Sequence, residues 1–369
     1  MLRDLLRPRI RLLSQASELR RLRRRLAELE ARNESMRSGM RRCLSCHYRI
    51  GGLKDDEPHR DSQHQMIEPS TGGHHMSVIL ITGASTGIGQ EAALHLARNG
   101  HRVYAGLRSP DRAAELREQI ETEDLPVTVV HLDILDQSSV DAAVAAVMAD
   151  QGRIDVLVNN AGIGGGRAVE ETSIDEAREI FETNYFGQAR MIAAVAPIMR
   201  AQRGGRIVNV GSLAATNTMG CHAHYSASKR AMTALSEALA FELAEYGVKV
   251  AIVEPGVVIT PIWEKGEMPD VDGPYGNSIR RLMRFFEFGF TRPALPADAA
   301  QAIAAAIEAD QPDFRYPVGA DARECIAARA SISDEEWVAM NALPDDEFAR
   351  RWQEVSGVNY YSGELPGTE

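Results

Sequence analysis

One stretch decides the fold of this chain: Val78-Ile-Leu-Ile-Thr82-Gly83-Ala84-Ser85-Thr86-Gly87-Ile88-Gly89-Gln90-Glu91. Its first five residues are apolar or β-branched, which is typical of a buried strand, and a turn rich in glycine follows. Apolar residues then recur at helical spacing until Asn99-Gly100 ends the helix. A strand, a glycine-rich turn and a helix together bind phosphate, because the glycines let backbone N–H groups approach a pyrophosphate at the helix N-terminus. A tight turn without a ligand is the alternative interpretation of this stretch alone.

Size and composition narrow the class of protein. The chain has 369 residues, of which 44% are hydrophobic, enough for one large α/β domain with extensions or for two domains. The net charge of −11 argues against a general nucleic-acid surface. No run of 18 apolar residues occurs, so no transmembrane segment is expected. The four cysteines are too few and too scattered for a disulfide framework, which indicates a cytoplasmic protein: Cys43, Cys46, Cys221 and Cys325.

The first 50 residues form a basic extension with a helical pattern. Leucines fall every seventh residue at Leu5, Leu12, Leu19 and Leu26. This spacing predicts a short coiled coil, or a basic helix that docks on an acidic partner or a membrane. Pro8 and Gln15 interrupt the seam, so a solvated and partly disordered extension is the alternative. Acidic residues in this segment argue against a mitochondrial presequence.

A short cysteine motif follows the extension. Cys43-Leu-Ser-Cys46-His47 matches a haem-attachment pattern, but such attachment needs an export signal that the sequence lacks. His59 and His64 could complete a zinc site only at irregular spacing, so we treat the motif as a coincidence and predict no metal site. Residues 51–76 have the composition of a flexible linker. Met76 precedes the first strand directly, and one hypothesis is that it is the natural start.

From residue 77 onward, strands and helices alternate. Six more strands are predicted: Arg102–Leu107, Val127–Leu132, Ile154–Val158, Arg206–Val210, Val248–Val253 and Phe314–Pro317. Continuous apolar strands linked by helices predict an α/β fold, a doubly wound parallel sheet of Rossmann type over residues 77–320. Residues 257–296 interrupt the alternation with prolines and phenylalanines, and we expect a substrate lid there or a helix pair on the core. Residues 321–369 predict a helical C-terminal extension.

One helical segment carries candidate chemistry. Tyr225-Ser-Ala-Ser-Lys229 opens a helix predicted to reach Tyr246, and residues four apart share a helix face. A nearby ammonium lowers the pKa of a phenol, so Tyr225 is expected to exchange protons near neutral pH. Ser212 follows the fifth strand and is expected to bind a substrate oxygen. Asn184 lies in a predicted helix, Ile174–Arg200, that breaks near Thr183.

These motifs resemble those of the short-chain dehydrogenase/reductase family, nearest its hydroxysteroid and retinol dehydrogenase-like branch. The matching residues are Thr82-Gly-x-x-x-Gly87-Ile-Gly89, Asn159-Asn160-Ala161-Gly162, Asn184, Ser212, Tyr225-x-x-x-Lys229 and Pro255-Gly256-x-x-x-Thr260. The resemblance implies that Tyr225 is the general acid or base and that Lys229 lowers its pKa and holds a ribose. It also implies that Ser212 orients the reacting oxygen and that Asn184 anchors a water.

The resemblance further implies a nicotinamide cofactor. The positions expected to bind it are Gly83, Ser85, Thr86, Gly87, Ile88, Gly89, Arg108, Asp133, Ile134, Asn160, Ala161, Gly162, Tyr225, Lys229, Pro255, Gly256, Val258 and Thr260. An enzyme selective for NAD(H) is expected to end the second strand with a carboxylate. Arg108 stands there instead, and a guanidinium suits a 2′-phosphate, which predicts NADP(H). A solvated Arg108 is the alternative.

Together these features predict an oxidoreductase that transfers hydride between NADP(H) and a secondary alcohol or ketone. An apolar lid favours a small hydrophobic substrate that is steroid-, retinoid- or lipid-like. Cys221, His222 and His224 are expected to line the pocket, without a nucleophilic role for the cysteine. By resemblance the protein is expected to be a homo-oligomer. An NADP(H)-sensing protein that contacts a partner through its basic N-terminal helix is the alternative.

Overall fold

A seven-stranded parallel sheet forms the centre of the described protein. The computed structural model describes residues 76–264 and 271–360. Within these ranges the strands are β1 Val78–Thr82, β2 Arg102–Leu107, β3 Val127–His131, β4 Val156–Asn159, β5 Gly205–Val210, β6 Val248–Pro255 and β7 Arg315–Val318. Their order is β3-β2-β1-β4-β5-β6-β7, with every neighbouring pair parallel. The predicted doubly wound α/β fold is confirmed.

Helices cover both faces of this sheet. They are α1 Gly87–Arg98, α2 Ala114–Glu123, α3 Gln137–Gln151, α4 Ile174–Phe181, α5 Gln188–Gln202, α6 Ala223–Leu243, α7 Gly276–Thr291, α8 Pro296–Glu308, α9 Ala320–Ala330, α10 Asp334–Asn341 and α11 Asp345–Ser356. Side chains alternate between the faces of a strand. Ile79 and Ile81 therefore pack with α1, α2 and α8, whereas Val78 and Leu80 pack with α3, α5 and α6.

The long helix predicted from Ile174 to Arg200 does not break. Its first part, α4, is begun by a capping box in which Ser173 and Glu176 bind each other's backbone N–H groups. The chain then passes through a π-helical turn, Glu182–Gly187, directly into α5. One extra residue in such a turn rotates the side chains that follow it. The turn therefore decides where Asn184 points.

The region after β6 combines the expected lid with the C-terminal helices. Helix α7 contributes Phe285 to a buried cluster that also contains Trp337, Phe348 and Trp352 from α10 and α11. Val257, just after β6, belongs to the same cluster, so the C-terminal helices support the loop that leaves the sheet. Asp321 in α9 is buried and accepts a hydrogen bond of 2.6 Å from the backbone N–H of Val257.

Several predictions concern residues 1–75, which lie outside the described residues. They are the basic helical extension, the cysteine motif with its possible zinc ligands, and all but the last residue of the linker. Among the described residues, no helix combines the length and apolar character needed to span a membrane. Within that same part of the chain, no group of three or more His, Cys, Asp and Glu side chains is placed to hold a metal ion.

Candidate active site

The glycine-rich turn lies where β1 leaves the sheet. Gly83 and Gly87 have φ angles of +67° and +62°, a region that glycine enters without steric cost. Helix α1 starts at Gly87, and the side chain of Thr86 makes no capping hydrogen bond to it. The first N–H groups of α1 therefore have no side-chain cap, as expected of a helix terminus that binds an anion.

A second loop, after β4, is tied to this turn. Thr82 is buried, and its hydroxyl accepts hydrogen bonds from the backbone N–H groups of Asn160 and Ala161, each 3.0 Å long. The side-chain amide of Asn160 donates in return to the carbonyls of Thr82 and Gly83, also at 3.0 Å. Sequence reasoning treated Thr82 only as part of the motif. The structure shows that it connects the two loops.

A third loop, after β6, reaches the same place. A Cβ atom added to Gly87 would lie 3.1 Å from the Cγ2 atom of Thr260, so the glycine turn packs against this loop. Val258 is buried in a bridge to Ala294, which follows α7. The carboxyl ends of β1, β4 and β6 thus form one crevice. In parallel sheets this edge is where ligands bind.

The predicted proton donor lies in this crevice. Tyr225 occupies the first turn of α6, is half-buried, and shares a hydrogen bond with the hydroxyl of Ser212. Burial raises the pKa of Tyr225 above its ordinary value, and the hydrogen bond from Ser212 opposes this only in part. The expectation that the phenol pKa is lowered is therefore wrong. The phenol is protonated at neutral pH.

Lys229 lies one turn further along α6. Its ammonium donates a hydrogen bond of 3.0 Å to the carbonyl of Val210 and is 5.9 Å from the centre of the Tyr225 ring. The side chain is only 4% exposed, and burial lowers the pKa of Lys229 to about 8. The predicted neighbourhood of the two side chains is observed. Desolvation of both groups, rather than their mutual attraction, dominates their pKa values.

Asn184 occupies the π-helical turn rather than an α-helix. Its side-chain oxygen accepts from the N–H of Ile163 at 2.9 Å, and its side-chain nitrogen donates to the carbonyl of Ile163 at 3.0 Å. The nitrogen also contacts the hydroxyl of Ser228 at 3.1 Å. A Cβ atom on Gly162 would lie 3.1 Å from the Asn184 oxygen and 3.5 Å from the Lys229 ammonium. The structure therefore brings Asn184 and Lys229 together across this glycine.

Comparison with known proteins identifies the fold family. The sequence profile of the short chain dehydrogenase family matches residues 77–269. The chain belongs to this family. It is 35% identical over 246 residues to a 3-ketodihydrosphingosine reductase from Bacteroides thetaiotaomicron, covering 66% of this chain and 87% of that protein. It is 30% identical over 302 residues to the 17-beta-hydroxysteroid dehydrogenase type 1 of Mus musculus, covering 77% and 87% respectively.

Solved structures of other proteins show the same architecture. A short-chain dehydrogenase from Streptomyces avermitilis is 34% identical, with a TM-score of 0.64, and covers 72% of this chain and 98% of its own. A 3-ketoacyl-(acyl-carrier-protein) reductase from Brucella melitensis, complexed with NADH, is 27% identical with a TM-score of 0.57 over 66% and 96%. An alcohol dehydrogenase from the archaeon Thermococcus sibiricus, complexed with 5-hydroxy-NADP, is 26% identical with a TM-score of 0.56 over 66% and 97%.

The remaining predicted positions of this short-chain dehydrogenase lie around the same crevice. Arg108 is exposed directly after β2 and makes no hydrogen bond or ion pair with the described residues. Asp133 does not close β3 as predicted, because the strand ends at His131 and the Asp133 carboxylate accepts from the N–H of Leu135 at 3.0 Å. Ile134 is buried, and its side chain packs against Gly187 at the end of the π-helical turn.

An aromatic wall stands over Tyr225, and sequence reasoning found only part of it. The His222 ring stacks on Tyr225 with ring centres 4.6 Å apart, and Phe286 of α7 meets His222 edge-on at 5.9 Å. Trp263 contacts Phe286 at 4.9 Å and Phe290 at 5.1 Å. Its indole N–H donates to the carbonyl of Val258 at 2.7 Å. The sequence did contain one indication that Trp263 belongs to this wall, because it lies only three residues after Thr260, a predicted cofactor position.

Proposed function

We propose that this short-chain dehydrogenase transfers hydride between NADP(H) and a hydrophobic secondary alcohol or ketone, with Tyr225 as general acid or base. One observation carries the proposal. Ser212 and Tyr225 share a hydrogen bond at the carboxyl edge of the sheet, with the buried Lys229 and Asn184 behind them. A phenol that is hydrogen-bonded beside a glycine-rich phosphate site is suited to proton transfer at a carbonyl group.

The residues present fit a nicotinamide cofactor. The uncapped start of α1 offers N–H groups to a pyrophosphate, and the glycine turn before it carries no side chain at Gly83 or Gly87 to obstruct its approach. We assign the adenosine end to Ser85, Thr86, Arg108, Asp133 and Ile134. We assign the pyrophosphate to Gly83, Gly87, Ile88 and Gly89. We assign the nicotinamide end to Asn160, Ala161, Gly162, Tyr225, Lys229, Pro255, Gly256, Val258 and Thr260. The cofactor, when bound, supplies or accepts the hydride.

Residues of the chain itself donate the proton, stabilise the phenolate that remains and restore the proton. Burial raises the pKa of Tyr225, so at neutral pH the phenol carries the proton that a ketone oxygen needs during reduction. The hydroxyl of Ser212 binds the same substrate oxygen and orients it. Lys229 holds a cation behind the phenol, where it stabilises the phenolate left after proton transfer. Asn184 anchors a water through which Lys229 restores the proton.

The preference for NADP(H) rests on Arg108. No carboxylate ends β2, and the guanidinium of Arg108 is exposed beside the crevice without a protein partner among the described residues. Charge-assisted bonds from a guanidinium to a phosphate are stronger than bonds between neutral groups. Structural neighbours bind either form, NADH in one case and 5-hydroxy-NADP in another.

We expect the Arg108→Ala variant to lose about tenfold in kcat/KM for NADPH and little for NADH. Comparable kcat/KM values for both cofactors in the unaltered protein would contradict the preference.

The substrate is assigned from the lining of the crevice. Phe286 and Phe290 lie on α7, within the proposed lid of residues 257–296, and Trp263 contacts both of them. These rings reach Tyr225 through His222, which contacts Phe286 and stacks on the Tyr225 ring. Apolar walls of this kind favour steroid-, retinoid- or lipid-like molecules. Two relatives carry names that refer to such molecules, a ketodihydrosphingosine and a hydroxysteroid.

We also propose a cytoplasmic homo-oligomer. Cys221 and Cys325, the two cysteines in the described ranges, are free and buried, which suits a reducing compartment. Phe241 on α6 is 80% exposed and Phe186, in the π-helical turn, is 48% exposed. Large apolar side chains that are this exposed favour burial against another subunit.

A substrate panel tests the proposed activity. Oxidation of NADPH and reduction of NADP⁺ are followed with steroids, retinoids, and long-chain and short polar ketones and alcohols. Tyr225→Phe is the control, because it keeps the stacked ring and removes only the proton donor. We expect turnover of bulky apolar compounds that falls at least about 100-fold in this variant while cofactor binding persists. Undiminished turnover by Tyr225→Phe, or cofactor binding without turnover of any compound, would contradict the proposal.

A further inference from the structure

His222 is a polar side chain that has no polar partner among the described residues. Its imidazole is half-buried at the start of α6, and its ring nitrogens make no hydrogen bond or ion pair with the described residues. Its contacts there are aromatic: Tyr225 on one face and the edge of Phe286. Ring nitrogens that no described protein group binds, held against the candidate proton donor, are available to a polar group of a bound substrate.

The ionisation state of His222 defines what it can bind. Burial lowers the pKa of His222 to about 4, so the ring is neutral at physiological pH. A neutral imidazole has one N–H donor and one nitrogen acceptor. It therefore recognises a hydroxyl, a carbonyl or an amine rather than a carboxylate or phosphate.

The stacked geometry limits where that polar group lies. The His222 and Tyr225 rings are nearly parallel, at 22°, with centres 4.6 Å apart. A substrate oxygen bound to the Tyr225 hydroxyl therefore lies within a few bond lengths of the imidazole nitrogens. The second polar group must then be attached only a few covalent bonds from the reacting carbon, while the apolar remainder contacts Phe286 and Trp263.

We propose that His222 is a specificity-determining residue that hydrogen-bonds a second polar group next to the reacting carbonyl. The substrate class is thereby narrowed from hydrophobic ketones in general to amphipathic ketones with a neighbouring hydroxyl or amine. This inference rests on the proposed function, because it needs Tyr225 and Ser212 at the reacting oxygen. It adds a requirement that the proposed function does not contain.

The test compares two ketones that differ by one hydroxyl, decan-3-one and 1-hydroxydecan-3-one. NADPH oxidation is measured with the unaltered protein and with His222→Phe, which keeps a stacked ring but cannot form hydrogen bonds. His95→Phe in the last turn of α1 is the matched control. A site that binds a substrate hydroxyl discriminates strongly against an analogue that lacks it. We expect the unaltered protein to prefer the hydroxyketone by about tenfold or more in kcat/KM, and His222→Phe to abolish the preference while changing kcat/KM for decan-3-one less than about threefold.

Other outcomes separate the inference from the proposed function. His222→Gln keeps a donor and an acceptor, so it is expected to retain part of the preference for the hydroxyketone. This second variant keeps the inference testable if His222→Phe fails to fold. Equal losses with both ketones would show that His222 only supports Tyr225 and would overturn the inference while leaving the function intact. Equal kcat/KM values of the unaltered protein for the two ketones would also overturn the inference and leave the proposed function intact. No Tyr225-dependent NADPH oxidation with either ketone would overturn the proposed function, and the inference with it.

Discussion

Lys229 is costly to bury in the crevice. Taking an ammonium out of water is unfavourable, and here a single carbonyl, that of Val210, replaces the lost hydration at 3.0 Å. The pKa of Lys229 falls to about 8 for this reason. A buried cation of this kind lowers the stability of the protein, which indicates that it is kept for binding or chemistry rather than for folding.

The cost of Lys229 can be measured as a function of pH. Between pH 8 and about 10.5 the lysine is neutral in the folded state and charged in the unfolded one, so stability rises with pH across this window. We expect Lys229→Met to be more stable than the unaltered protein by about 2 kcal/mol at pH 7, because the pKa shift corresponds to about 3 kcal/mol and loss of the hydrogen bond subtracts about 1. The difference is expected to shrink toward pH 10. Denaturant unfolding of both proteins at pH 7 and pH 10 checks this, and a difference independent of pH would contradict it.

For single residues, the sequence predicted which side chains lie close together but not how burial changes their pKa values. Spacing along α6 placed Lys229 beside Tyr225, and the spacing of strand ends placed Ser212 there too. The direction of the Tyr225 pKa was wrong, because desolvation depends on side chains from distant segments that no local pattern reveals. The adenosine-side position Asp133 was misplaced relative to β3 for a local reason, namely that its own side chain forms a turn with Leu135.

At the scale of elements, the loop after β6 is fixed by α9. The carboxylate of Asp321 occupies the space beside Gly256 and accepts the N–H of Val257 at 2.6 Å. Burial raises the pKa of Asp321, and the backbone hydrogen bonds oppose the rise. A residue from the C-terminal helices therefore holds the loop that carries Val258 and Thr260.

This contact makes position 256 intolerant of a side chain. A Cβ atom there would overlap both carboxylate oxygens of Asp321, so we expect Gly256→Ala to lower the free energy of unfolding by about 1–3 kcal/mol. Gly204→Ala is the matched control, because a Cβ atom at Gly204 meets nothing within 4 Å. Thermal unfolding of the two variants is the measurement. Equal melting temperatures would show that the Asp321 contact does not constrain the loop.

Strands were the most predictable elements, and the π-helical turn the least. Continuous runs of apolar and β-branched residues such as Val78–Thr82 indicate burial on both faces, and all five residues of this strand are buried. The π-helical turn at Glu182–Gly187 has no sequence signature, since it arises from packing of Gly187 against Ile134 and from the hydrogen bonds of Asn184 with Ile163. The contact between Asp321 and the β6 loop was also hidden, because it joins segments far apart in sequence.

At the scale of the whole molecule, exposed apolar side chains on α6 and the π-helical turn bear on assembly. If α6 forms part of a subunit interface, a lysine in place of Phe241 would bury a charge there without water and without an ion-pair partner. We expect Phe241→Lys to shift the protein toward monomer in size-exclusion chromatography with light scattering. Val338→Lys on α10 is the control, because Val338 is 69% exposed on a C-terminal helix. A monomeric unaltered protein, or unchanged mass in Phe241→Lys, would contradict an interface at this face.

The central position of β1 has a consequence for biosynthesis. Ile79 pairs with Val103 on one side and with Val156 on the other, so after β1 itself one edge has its partner only once about three times as much further chain has been translated as the other edge requires. Until then a strand with four consecutive apolar residues presents unpaired backbone groups, which are a template for pairing with other nascent chains. Parallel pairing between distant segments is also slow to form. The ribosome-bound chain therefore passes through an interval in which a holdase chaperone, or slower translation at low temperature, improves the yield of folded protein.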